Sequence, residues 1–102
     1  MTLYIVTKNS SEVKPIIKAI CDKVGIANYF ILDPKHNEIN RPYRYVLFLE
    51  EEPTKVSAFK KWFIPLRLSK TMPLDDKKKV LLAFETMRET MENTFVKETI
   101  RS

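Results

Sequence analysis

LFLEEEPTKVSAFKKWF, residues 47–63, decides the fold, because here an apolar run passes through three carboxylates and a proline into a lysine- and aromatic-rich segment. Leu47, Phe48 and Leu49 close the run YRYVLFLE (43–50), which has the length and the β-branched and aromatic content of a strand. Pro53 lacks an amide to donate and ends that strand. Thr54 then caps a short helix in which Val56, Phe59, Trp62 and Phe63 share one face. On this reading Glu50, Glu51 and Glu52 form a solvated strand end, the aromatics point into the core, and Lys60 and Lys61 face water. Ile64-Pro65 stops the helix, and LRLS (66–69) alternates as a short edge strand would.

Towards the N-terminus, TLYIVT (2–7) is a buried first strand. A helix follows, capped by Ser10 or Ser11, with Val13, Ile16, Ile17, Ile20, Cys21 and Val24 on one face at the i, i+3, i+4, i+7 spacing. Pro15 is expected in the first turn, where its missing amide costs nothing, and Gly25 ends the helix in a left-handed conformation. NYFILD (28–33) is a second strand, so the chain opens with a strand-helix-strand crossover that places strands one and two parallel. PKHNEINRP (34–42) reads as a loop. Its nine residues suit an antiparallel pairing of strands two and three, because a parallel crossover generally takes a dozen or more.

Towards the C-terminus, Pro73, Asp75 and Asp76 start a long helix at about Leu74 that carries Val80, Leu81, Phe84, Met87, Met91 and Phe95. The expected fold is therefore an α/β or α+β domain of order β-α-β-β-α, a mixed sheet of three to four strands with a long C-terminal helix. A chain of 102 residues, 44% hydrophobic and 11% aromatic, has the material for one core and reads as a single domain over residues 1–102.

Composition removes several classes of function. One glycine in the whole chain excludes the Gly-rich phosphate loops of P-loop and Rossmann proteins. One cysteine and one histidine exclude an internal disulfide and a Cys/His zinc site. The N-terminal stretch has neither the basic region nor the length of a signal or anchor, so a cytoplasmic setting without cofactors is the expectation. Many lysines and few glycines and alanines suggest an AT-rich coding sequence of the kind common in phages and mobile elements.

Three groups of residues carry candidate chemistry. Asp33 and Glu50–Glu52 would form a Mg²⁺ site of a nuclease-like enzyme if strands two and three ran parallel; an antiparallel pair separates them to opposite ends of the sheet. Cys21 falls on the apolar face of its helix as an inert core residue, and His36 sits in a loop with no partner for catalysis.

The third group is basic. Lys55, Lys60, Lys61, Arg67, Lys70, Lys77, Lys78 and Lys79 face only Asp75 and Asp76 across residues 53–81, a local +6 in a chain of +5. Such a surface suits nucleic-acid backbone or another acidic surface, with stacking lost if Phe59, Trp62 and Phe63 point inward. The expected function is a small non-enzymatic binding protein that uses residues 55–79. The alternative is an inhibitor, adaptor or accessory subunit, or a homo-oligomer, docking through a sheet edge or through Met87, Met91 and Phe95 of the long helix, if that stripe is not core.

Overall fold

A computed structural model describes residues 2–33, 43–50 and 58–101, with side chains through Thr94. Its elements are β1 (Leu3–Val6), α1 (Ser10–Val24), β2 (Tyr29–Leu32), β3 (Tyr43–Leu49), β4 (Ala58–Ile64) and α2 (Leu74–Arg101). The strands form one sheet in the order β2-β1-β3-β4, and every neighbouring pair is parallel.

Several expectations are corrected. β2 and β3 are not neighbours; each pairs with β1, so the sheet is parallel rather than mixed. Val6 stands opposite both Leu32 and Phe48. From Leu32 the chain must therefore return about five residues to Tyr43, roughly 17 Å, and step sideways two strand spacings, roughly 10 Å. The ten residues between them can reach about 33 Å, enough for that distance.

The second correction falls on residues 58–64, which form a strand where the sequence suggested a helix. AFKKWFI carries the helical spacing of Phe59, Trp62 and Phe63, but the same aromatics and Ile64 are also residues that strands favour. Pairing along the free edge of β3, from Tyr43↔Ala58 to Leu49↔Ile64, decides between them. The eight residues between Leu49 and Ala58 have about 21 Å to cover and reach about 27 Å. LRLS is not a strand, although Leu68 is buried beside Ile64 in the core.

Both helices cover one face of the sheet. Leu3 and Ile5 of β1, Tyr45, Leu47 and Leu49 of β3, and Ile64 of β4 meet Val13, Ile17, Cys21 and Val24 of α1 and Val80, Phe84, Met87 and Met91 of α2. A smaller cluster, Val6, Tyr43, Val46 and Phe48, lies apart from these helical residues. The cap of α1 lies one residue before the expected Ser10. Asn9 occupies the cap position without a side-chain cap, and Pro15 is the sixth helical residue, in the second turn. Gly25 ends α1 at φ 90°, donating its amide to the Cys21 carbonyl at 2.9 Å, as expected of a left-handed cap.

α2 has 28 residues, about 42 Å of helix. Thr86, Thr90 and Thr94 each donate a hydroxyl to the carbonyl four residues back, at 3.0, 3.0 and 2.8 Å. Their four-residue repeat is thus satisfied within the helix.

Candidate nucleic-acid interface

β4 is the last strand of the sheet, so one of its edges carries no strand partner among the described residues. Phe59 is 65% exposed and Phe63 40%, with exposed Lys60 and Lys61 between them. Four residues of strand separate the two phenylalanines by about 13 Å. Trp62 does turn inward, as expected, and stacks on the buried Tyr45 ring at 6.2 Å and 26°.

The start of β4 is held by Arg44 and Tyr45. The Arg44 guanidinium lies 5.7 Å from the Tyr45 ring and 5.7 Å from the Phe59 ring, and its Nε donates to the Tyr45 hydroxyl at 3.4 Å. Phe59 in turn meets the Tyr45 ring edge-on at 6.4 Å and 86°. Tyr45 is thus the fixed point against which one exposed aromatic and one cation are set. Cation–π contact of this kind stabilises by about 0.5–1 kcal/mol at an exposed site.

At the other end of β4, Trp62 and Phe63 border a depression of about 350 Å³ shared with Lys79, Leu82 and Thr86 of α2. The described part of β4 contains no carboxylate. An edge strand with exposed aromatic rings, two adjacent lysines and no acid offers flat surfaces for stacking and cations for phosphates.

The sequence-predicted basic residues do not all gather here. Lys60, Lys61 and Lys79 border β4. Lys70 and Lys77 line a separate groove between α1 and α2. Arg67 is bound to Glu12 at 3.0 Å, and that hydrogen bond raises its already high pKa. Lys78 is exposed on α2. Lys55 and His36 lie outside the described residues. Of the apolar stripe offered as a partner face, Met87 and Met91 are 1% and 2% exposed, which places them in the core; the Phe95 side chain lies outside the described set.

The acids require a correction of premise. Because β2 and β3 run parallel on either side of β1, Asp33 and Glu50 lie at the same end of the sheet, not at opposite ends. Glu50 has a φ of 70°, and its carboxylate accepts a hydrogen bond from the Asn9 side-chain amide at 2.7 Å. No group of three or more His, Cys, Asp or Glu among the described residues is arranged to hold a metal ion. Glu51 and Glu52 lie outside the described residues.

The sequence named Phe59 and Phe63 as stacking candidates but expected them to point inward, whereas both are exposed; Arg44 it read only as a sign of a solvated strand end. The strand signal lay in the aromatics and Ile64 of residues 59–64, which strands favour, outweighed by the helical spacing of the same aromatics.

No described helix is long and apolar enough to cross a membrane. No protein-family model, curated protein or solved structure matches the chain.

Proposed function

We propose that the chain is a small, non-enzymatic, cytoplasmic binding protein that takes single-stranded nucleic acid along β4. Bases stack on Phe59 and Phe63, while Lys60, Lys61 and Lys79 contact the phosphates. The observation that carries this reading is the exposure of both phenylalanines on a carboxylate-free edge strand. A buried aromatic set would have left backbone contact only. Single strands are favoured over duplex because a duplex hides its base faces.

Anisotropy of a labelled oligothymidylate supplies the test. Binding that weakens steeply with salt, and that exceeds binding of a duplex of equal length, is the expected result. Equal affinity for duplex, or no saturable binding at low salt, overturns the proposal.

A further inference from the structure

A second surface lies on the helical side of the molecule. Pro15, Ile16, Ala19 and Ile20 form one wall of a groove, and Met72, Val80 and Leu81 form the other, around an open volume of about 570 Å³. Ala19 is exposed, and Ile16, Ile20, Met72 and Leu81 are half-buried, so the floor is apolar and reachable from solvent. Every charged residue lining the groove is a lysine: Lys23, Lys70 and Lys77. The stripe from Pro15 to Lys23 runs eight residues along α1, about 12 Å or two helical turns.

An apolar floor two turns long with a cationic rim has a definite complement. A helix with apolar residues at i, i+3, i+4 and i+7 fills such a groove, and carboxylates flanking that stripe meet the lysines. Nucleic acid does not match this surface, which lacks aromatic rings for stacking. Nor does a second copy of this chain. Along the described outward face of α2, Leu82 stands among Glu85, Thr86 and Glu89, with Leu74 the only other large exposed apolar residue of the helix. We propose that the α1–α2 groove docks an acidic amphipathic helix belonging to another protein.

The test uses two labelled synthetic helical peptides with the same leucine stripe, one flanked by glutamates and one by lysines. The intact protein binds the glutamate peptide saturably and at least about tenfold more tightly than the lysine peptide. Ala19→Glu, on the exposed face of α1, weakens the glutamate peptide by about tenfold or more while leaving melting temperature and oligonucleotide binding unchanged. Lys23→Glu combined with Lys77→Glu reverses the preference between peptides. Equal affinity for the two peptides, indifference to Ala19→Glu, or displacement of the peptide by oligothymidylate overturns the proposal. Failure of the oligothymidylate to bind at all leaves this test intact, because the two surfaces share none of the residues used. Binding of dodecanoate with no binding of the peptide also overturns it, since the occupant is then a small anionic amphiphile.

Discussion

Phe59 and Trp62 stand three residues apart on one strand and divide the labour of β4 between surface and core. Phe59→Ser combined with Phe63→Ser removes two exposed rings, so stability should fall by about 1 kcal/mol for each substitution, Phe59 giving up its contacts with Arg44 and Tyr45. Affinity for oligothymidylate should fall by one to two orders of magnitude, because base–aromatic stacking contributes about 1–3 kcal/mol per base. Trp62→Ala has the opposite signature. It removes the ring stacked on Tyr45 and should destabilise by about 2 kcal/mol, read from the denaturant midpoint. A double variant that unfolds, or that binds normally, contradicts the assignment of Phe59 and Phe63 to the surface.

Cys21 is a residue whose setting was legible in the sequence, since the apolar stripe of α1 put it inward. Burial pushes its thiol from 9.0 up to about 12, with the neighbouring Asp22 carboxylate adding to the shift. Between those values the unfolded chain has lost a proton that the native chain keeps, so this contribution is complete below about pH 9 and is lost as pH rises towards 12. The stability difference between the wild type and Cys21→Ala should therefore narrow between about pH 8 and about pH 10.5 in parallel denaturant titrations. A difference that stays constant shows that the thiol ionises equally in both states.

Among the elements, α1 and α2 were legible because each has a single dominant period and clear end signals. Gly25 is the sharpest of these. A Cβ there would meet Arg88 Cδ at an ordinary 3.6 Å, so the obstacle to a side chain is the φ of 90° and not space. Gly25→Ala should cost about 1–2 kcal/mol in thermal or denaturant unfolding. Thr86→Ala and Thr90→Ala should stay within about 0.5 kcal/mol of wild type, because each hydroxyl is bonded only to its own helix and alanine is the better helix former. β4 was not legible for the converse reason. Its aromatics suit a helical face and a strand alike, and only the edge of β3, remote in sequence, selects the strand. The direction of β3 was hidden in a similar way. The usual length of a parallel crossover presumes a dozen or more residues, whereas the distance from Leu32 to Tyr43 is within the reach of ten.

The molecule as a whole separates its cations. With both helices on one face of a parallel sheet, α2 carries Lys79 to the outer end of β4 and Lys77 to the groove against α1. A continuous basic belt over residues 55–79 would make every lysine equivalent towards a polyanion. Two separate sites make them inequivalent, and salt dependence distinguishes the cases. Each lysine that neutralises a phosphate of a bound single strand adds about 0.7 to the slope of log K against log salt. Lys60→Gln combined with Lys61→Gln should lower that slope by roughly 1.4 for oligothymidylate, with a drop in affinity that grows as salt falls. Lys70→Gln combined with Lys77→Gln removes the same formal charge from the same chain. It should leave the slope within about 0.3 of wild type, because net charge alone acts over distances screened at a Debye length of about 10 Å in 0.1 M salt. Equal reductions from the two pairs would mean that strand and groove belong to one electrostatic surface. The groove would then lose its claim to a separate, helical partner, since the phosphate chain would already be occupying its rim.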